Sequence, residues 1–327
     1  MKLLSICIPT YNRAKFLQEN LKYLLPQVQE NDNAVELIIS NNASTDETAQ
    51  IIAQYKSQGY NFRYLVNETN LGPDKNFYSC VMHAQGKYIW LLGDDDYIIP
   101  GGIFALLNLL QNSDYGAIYV QSGNRADKNP FSIGQEEKLN HYVYNDSNVY
   151  LQRVSYYITF MSGNIFNRCV LDSDIDFTKY FYSQFFQVPL YVNSALMHTQ
   201  NVYINTPLIY SAGNQNGGYT VFKVFGQNLF NILEKFISKG LNLKTINYIK
   251  HDISRNFFPY YIMLGRSCNN TFVAEKPQEV LQDKFGDLPE YKWLLVPLAT
   301  WPLPLAKIYW FGFRVVRKLC RIVGVKL

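Results

Sequence analysis

The chain has 327 residues, of which 48% are hydrophobic and 17% charged, a composition that excludes a disordered or low-complexity protein. Its formal net charge of +4 is unevenly placed: after Glu290 come seven bases and no acid, and the rest of the chain carries three more acids than bases. No basic face for nucleic acid is therefore expected on the body. Five scattered cysteines without a C-x-x-C pair exclude a disulfide framework or zinc knuckle and suit a reduced, cytosolic setting. The N-terminus opens on a strand-like run with no basic region or cleavage site, so no signal peptide is expected.

Leu3 to Pro9 reads as a buried strand, and Thr10-Tyr11-Asn12-Arg13 as a polar loop at its end. A helix is predicted from about Ala14, with Phe16, Leu17, Leu21, Leu24 and Leu25 on one face. Val35 to Ser40 is a second strand, followed by the loop Asn41-Asn42-Ala43. Ser44-Thr45-Asp46-Glu47 then opens a helix, with Ser44 as its cap and Glu47 reaching back. Phe62 to Val66 predicts a third strand, and a helix follows the turn Asn70-Leu71-Gly72-Pro73, from Asp74 to about Gln85. Tyr88 to Leu92, a helix from about Gly102 to Gln111 and a strand from Ala117 to Gln121 complete an alternating β–α pattern. That pattern predicts a mostly parallel sheet with helices on both faces.

The stretch Gly86 to Pro100 carries the most chemistry. Asp94, Asp95 and Asp96 follow directly on a buried strand, where ligands bind in open α/β sheets. Three adjacent carboxylates repel one another, and a divalent cation with oxygen ligands offsets that repulsion. A solvated turn is the plainer alternative. No G-x-G-x-x-G follows a strand and no G-x-x-x-x-G-K-[ST] exists, so neither glycine-rich phosphate cradle is available. A metal on Asp94–Asp96 would supply the missing positive charge. The loops Thr10–Arg13 and Asn41–Asn42, at the ends of neighbouring strands, could line a base and ribose or be ordinary loops.

Beyond residue 122 the pattern is irregular. Residues 123–148 read as loops or a hairpin, and Tyr156 to Phe166 is apolar around Ser162-Gly163-Asn164. Asp172, Asp174 and Asp176 alternate along a short loop, and Phe181 to Leu196 has an aromatic, helical look. Gly213 to Gly218 is a polar, glycine-rich loop, suited to closing over a ligand and equally to serving as a connection. Helical patterns run from about Val221 to Ser267. The tail from Trp293 is apolar but interrupted by Pro297, Pro302 and Pro304, which argues against a membrane span. From Arg314 bases and apolar residues segregate as on a basic amphipathic helix, a pattern that suits an anionic membrane surface or a terminal helix packed on the body.

With these residues in view, the chain resembles the family 2 glycosyltransferases of the GT-A fold. Ser5 to Arg13 is similar to the family's opening strand and loop, and Ser40-Asn41-Asn42-Ala43-Ser44-Thr45-Asp46 to its second motif. Asn70-Leu71-Gly72 with Lys75-Asn76 resembles the third, and Gly93–Asp96 with Pro100 the metal motif. Leu-Gly-Asp-Asp-Asp, with Ser-Gly-Asn-Ile-Phe-Asn-Arg further on, is similar to the bacterial abequosyltransferase-like branch, which builds surface-polysaccharide repeats.

The resemblance implies an α/β GT-A nucleotide-diphospho-sugar transferase fold over residues 1–220; the residue patterns add a helical C-terminal extension over 221–290 and a basic amphipathic membrane-associating tail over 291–327. It implies that Pro9, Thr10, Tyr11, Arg13, Asn41, Asn42, Gly72, Lys75 and Asp94 bind the nucleotide-sugar, with Lys75 at the diphosphate. Asp94, Asp95 and Asp96 would hold Mg²⁺ or Mn²⁺. Asn41 stands where the family usually has Asp, which leaves the nucleotide open among UDP, GDP, CDP and dTDP. The family's general base falls where Ser183 to Asn193 has no acid. Asp176 is the candidate taken instead, with Asp172 and Asp174 as alternatives and His198 in reserve. The expected activity is inverting transfer of a hexosyl or deoxyhexosyl group to a lipid-linked oligosaccharide, at the cytoplasmic side of the bacterial inner membrane. A catalytically idle glycan-binding module and a nucleotidyltransferase are the rival readings.

Overall fold

The computed structural model describes residues 2–111, 113–124, 132–134, 138–211, 219–266 and 272–322. They form two compact units, Met1–Asn214 with Lys235–Asn242 and Gln215–Glu234 with Leu243–Leu327. The loop Gly213 to Gly218 and the last bases of the tail lie outside the described residues.

The first unit is α/β. β1 (Leu4–Thr10) is buried at all seven positions and pairs in parallel with β2 (Val35–Asn41). Between them α1 (Ala14–Glu30) buries Leu17, Leu21, Leu24, Leu25 and Val28. It continues through Pro26 because that residue lies on the solvent side, where the unbonded carbonyl one turn back meets water. α2 (Thr48–Ser57), β3 (Arg63–Val66), α3 (Pro73–Met82) and β4 (Tyr88–Leu91) follow near their predicted places.

The cap of α2 differs from expectation. Ser44 accepts instead from the Asn12 N–H at 2.9 Å, and Asp46 does the capping. Asp46 Oδ1 accepts from the Thr48 N–H at 3.1 Å and Oδ2 from the Ala14 N–H at 2.9 Å, so one carboxylate closes the first turns of α1 and α2.

β5 (Asp96–Ile98), α4 (Gly102–Leu110), β6 (Ala117–Asn124), β7 (His141–Tyr144), α5 (Ser147–Val154), β8 (Asn164–Asn167), α6 (Gln187–Met197) and β9 (Asn201–Ser211) complete the unit. The sheet order is β3-β2-β1-β4-β8-β6-β9-β5, with β7 also on β9. The first four strands are parallel. β8 runs antiparallel between β4 and β6, and β9 is parallel to β6 but antiparallel to β5 and β7. β9 has no counterpart in the sequence reading. Pro207 interrupts its pattern, and the fold accommodates it where the β6–β9 register shifts, between the pairs Val120↔Ile204 and Ser122↔Ile209.

The second unit is helical: α7 (Leu229–Lys235), α8 (Leu243–Asn256), α9 (Phe258–Gly265), the short α10 (Pro277–Val280), α11 (Gln282–Phe285) and α12 (Val296–Thr300), and α13 (Leu303–Ile322). Phe230, Phe258 and Phe285 form an edge-to-face cluster at its centre. Glu290 is buried and accepts from His251 Nδ1 at 2.9 Å and Arg255 Nε at 2.6 Å.

α13 has three stripes. Leu303, Ala306, Tyr309, Trp310, Phe313, Arg317 and Cys320 are the less exposed positions, and Arg317 donates to the Arg255 carbonyl at 3.0 Å. Lys307, Arg314 and Lys318 form an exposed basic stripe. Beside it Leu305, Ile308, Phe311, Val315, Val316 and Leu319 leave an apolar stripe in solvent, with Ile308 and Phe311 69% and 68% exposed. Among the described residues no helix is long and apolar enough to cross a membrane.

Because Asp46 serves two helix starts, Asp46→Ala is expected to cost about 1–2 kcal/mol in urea unfolding. Its carboxyl lies below the usual range: the bonds from Thr48 and Ala14 outweigh its partial burial. The stabilisation is therefore present above the unfolded-state pKa, and the gap between wild type and variant closes as pH falls through the folded one.

Candidate active site

Parallel pairing brings the predicted site residues together. Thr10 stands beside Asn41 in the β1–β2 register, and the Leu92 N–H donates to the Cys7 carbonyl, so the chain leaving β4 emerges at the same level. There Thr10 Oγ1 donates to Asp94 Oδ2 at 2.8 Å and Arg13 Nε to Asp94 Oδ1 at 2.8 Å. A second guanidinium nitrogen, Nη2, donates to Asp95 Oδ2. Arg13 lies over the Phe16 ring, 4.5 Å from its centroid.

The three aspartates, grouped by sequence as one metal set, are divided by the fold. Asp94 is 6% exposed, and burial pushes its carboxyl up to about 6, against the pull of Arg13 and Thr10. The Asp95 side chain is 22% exposed. Asp96 opens β5, and its carboxylate accepts from the Ser162 hydroxyl. Ser162 Oγ also accepts from the Gly93 N–H at 2.9 Å, while its carbonyl accepts from Trp90 Nε1 at 2.7 Å. Asn20, at 1% exposure, donates to the Gly93 and Asp96 carbonyls. Ser162 and Asn20 were not among the predicted site residues. The signal for Asn20 was a polar side chain on the leucine-rich face of α1.

The loops after β2 and β3 are held by an amide network. Asn42 Oδ1 accepts from Asn67 Nδ2 and from the Leu71 N–H, both at 2.9 Å, and Asn42 Nδ2 donates to Asn70 Oδ1 at 2.8 Å. Asn76 Nδ2 donates to the Ser40 carbonyl at 3.1 Å, and the Ser40 hydroxyl to Asn76 Oδ1 at 2.7 Å. Asn41 accepts from the Ser44 N–H at 2.9 Å and donates to the Tyr64 hydroxyl at 2.8 Å. Gly72, with φ of +83°, precedes α3 in a conformation that favours glycine. Pro9 is buried in β1, and Tyr11 is exposed at the rim.

Lys75 faces the rings of Phe181 and Tyr182, its Nζ 5.9 and 5.4 Å from their centroids. The neighbouring Asp74, also unforeseen, is buried and accepts from the Gln184 and Phe186 N–H groups at 2.9 and 3.3 Å, which fixes the loop ahead of α6. Tyr182 and Gln184 in that loop have φ of +68° and +62°, a strain the Asp74 bonds help to hold.

The acids proposed as base have local partners. Asp176 is exposed and accepts from the Thr178 N–H at 3.1 Å, and Asp174 pairs with Lys239 at 2.6 Å. Asp172 is also exposed. His198 Nε2 lies 3.5 Å from Cys169 Sγ, and its Nδ1 lies 3.0 Å from the Ser194 carbonyl.

Among the described residues no three His, Cys, Asp or Glu side chains form a ready-made metal cage. The geometry nevertheless fits a hard cation that brings further oxygens with it. A Cβ on Gly93 would stand 3.0 Å from Asp96 Oδ2 and 3.2 Å from Asp95 Oδ1, so glycine leaves open a small concavity toward which both carboxylates converge. Phosphate oxygens would complete the ligand set.

Fold and motifs together define a glycosyltransferase: residues 5–169, half of the chain, match the glycosyl transferase family 2 model, and the chain belongs to that family. It is 28% identical over 292 residues to the abequosyltransferase RfbV of Salmonella typhimurium, covering 84% of this chain and 81% of that protein. It is 29% identical over 122 residues to the GalNAc(5)-diNAcBac-PP-undecaprenol beta-1,3-glucosyltransferase of Campylobacter jejuni, spanning 37% of each. Among solved structures, S. aureus TarS 1-349 in complex with UDP-GlcNAc superposes with a TM-score of 0.57 at 18% identity, over 99% of this chain and 93% of that one. The mannosyltransferase PcManGT from Pyrobaculum calidifontis, in complex with GDP-Man and Mn²⁺, gives 0.55 at 16% identity, over 95% and 79%. The GT-A architecture is thereby shown.

Ionised Asp94 costs stability, because its carboxyl is neutral to a higher pH in the folded chain than in the unfolded one. Asp94→Asn is therefore expected to be more stable than wild type above pH 6 by on the order of 1–3 kcal/mol. The difference should shrink between pH 6 and 4 and vanish below, as read by denaturant unfolding at each pH.

Proposed function

We propose that this glycosyltransferase is metal-dependent and inverting, and that it moves a hexosyl or deoxyhexosyl group from a nucleotide-sugar to a hydroxyl of a lipid-linked surface-polysaccharide acceptor. The observation that carries the reading is the meeting of Thr10, Arg13, Asp94, Asp95 and Asp96 at the carboxyl ends of β1 and β4. Asp94 and Asp95 on one guanidinium, with Asp95 and Asp96 converging beside Gly93, are costly unless further positive charge is to be bound there.

In this reading Pro9, Thr10, Tyr11, Asn41, Asn42 and Gly72 surround the nucleotide, and Lys75 serves the diphosphate. Asp95 and Asp96 hold Mg²⁺ or Mn²⁺, with Asp94 behind them. When bound, the cation neutralises the charge that develops on the departing nucleoside diphosphate. The amide network keeps the nucleotide loops in one shape, so that the sugar is presented to the acceptor without a search for geometry. The acceptor oxygen bonds to the anomeric carbon as the sugar–phosphate bond breaks, and the hydroxyl proton passes to a base. Asp176 is the base carried forward from the sequence, with Asp172 and Asp174 beside it.

The polyprenol-linked oligosaccharide in the name of the Campylobacter relative supports a lipid-linked acceptor. The stripes of α13 support attachment to an anionic membrane, which for such an acceptor is the cytoplasmic face of the inner membrane. Residues 1–220 then act as the catalytic part, 221–290 as a helical extension and 291–327 as the membrane-associating tail.

Turnover of a panel of UDP-, GDP-, CDP- and dTDP-sugars, with and without Mn²⁺, tests the chemistry. One donor is expected to turn over only with the metal, and Asp95→Asn/Asp96→Asn to lose on the order of 10²–10³-fold or more. Metal-dependent binding without turnover, even with membrane lipid extract as acceptor, would favour the idle module. No binding of any donor would overturn the site. Asp176→Asn is expected to slow transfer at saturating donor while leaving donor binding intact.

Co-sedimentation with vesicles tests the tail. Binding is expected with anionic lipid and not with neutral lipid, and Ile308→Asp/Phe311→Asp should abolish it while the circular-dichroism spectrum stays unchanged. Equal binding by that variant would remove the membrane assignment.

A further inference from the structure

We infer that Arg13 is the internal counter-cation of the carboxylate cluster, and that it makes binding of the divalent cation conditional on the nucleoside diphosphate. The inference rests on the metal-dependent reading above and assigns a positioning role within it.

Arg13 occupies the N-cap of α1, a 17-residue helix, and its side chain makes no capping bond. That position ordinarily holds Ser, Thr, Asp or Asn, and a cation there opposes the helix dipole. The guanidinium instead reaches the carboxylates, with Nε on Asp94, Nη2 on Asp95 and the Phe16 ring beneath it. It neutralises one of three charges.

A dication approaching Asp95 meets this guanidinium on the same carboxylate. It must bear the repulsion or displace Arg13 from Asp95. The two contacts differ in how easily they part: Asp94 is buried and also held by Thr10, whereas Asp95 is the more exposed partner. Asp95 is thus the side chain that can turn away. The freed Nη2 donors are then available to a phosphate, which a guanidinium fork suits as well as it does carboxylate. The diphosphate therefore supplies what the cation alone lacks, an alternative partner for Arg13 together with ligands of its own. The cation alone is expected to bind poorly, and cation and nucleotide together to bind well.

Mn²⁺ binding to the full-length protein, read from the electron paramagnetic resonance signal of the free ion, tests this without reference to activity. Without nucleotide, Arg13→Gln is expected to bind Mn²⁺ at least about tenfold more tightly than wild type. Arg13→Lys, which keeps the charge but cannot span two carboxylates, should fall between them and serves should the glutamine variant not fold. Asp95→Asn in the Arg13→Gln background should remove the gain. Lys15→Gln, the loss of an exposed neighbouring charge, should leave Mn²⁺ binding at the wild-type level.

Equal Mn²⁺ affinity of wild type and both Arg13 variants would overturn the inference. So would an equal gain from Lys15→Gln, which would mark a general charge effect. Wild type titrated with UDP, GDP, CDP and dTDP forms the separate arm: absence of Mn²⁺ binding with every nucleotide would bring down the metal-dependent reading itself.

Discussion

The charge on Asp94 is what the first unit is arranged to tolerate. A carboxylate at the end of a buried strand, with two more acids next in sequence, would ordinarily be neutral or absent. It is kept by Thr10 and Arg13, which reach it only because β1 and β4 are parallel neighbours whose register, Cys7 beside Leu91, brings the chain beyond β4 level with Thr10. Ser162 and Asn20 then fix the turn that carries the cluster, each serving two points of it. The antiparallel strand β8 follows directly on the segment that holds Ser162, so its insertion beside β4 belongs to the support of the site as well as to the sheet.

Strands that are buried on both faces are near-continuous apolar runs, and β1, β2 and β4 were plain in the sequence for that reason. The helix registers followed from leucine spacing. What escaped was structure whose logic is not local. β9 contains Pro207 and few consecutive apolar residues, and its place at the centre of three pairings depends on a register shift that no short window shows. The α2 cap went to Asp46 over Ser44 because Asp46 could bond two helix starts at once, an advantage visible only when α1 and α2 are side by side.

The site divides in the same way. Thr10, Arg13, Asn41, Asn42 and the aspartates stood out because polar residues at strand ends are informative by position alone. Ser162, Asn20 and Asp74 lie about 70, 75 and 110 residues from the groups they hold, and each resembled an ordinary polar residue in its own segment. Arg13 was read as a nucleotide contact, and its hold on two of the aspartates came with the fold. Asp172, Asp174 and Asp176 stood out as alternating acids, and what the fold adds is a partner for two of them: Lys239 for Asp174 and the Thr178 N–H for Asp176.

The amide network around Asn42 and Asn76 has a consequence of a different kind. Its members, Ser40, Asn42, Asn67, Asn70 and Asn76, carry no formal charge, so neither proton nor salt concentration changes the bonds among them. The carboxylate cluster, further along the row of strand ends, is sensitive to both. The site thus joins a frame indifferent to its ionic surroundings to an electrostatic centre that responds to them. Change in the medium alters how strongly the site attracts a ligand, while the outline it offers that ligand stays the same.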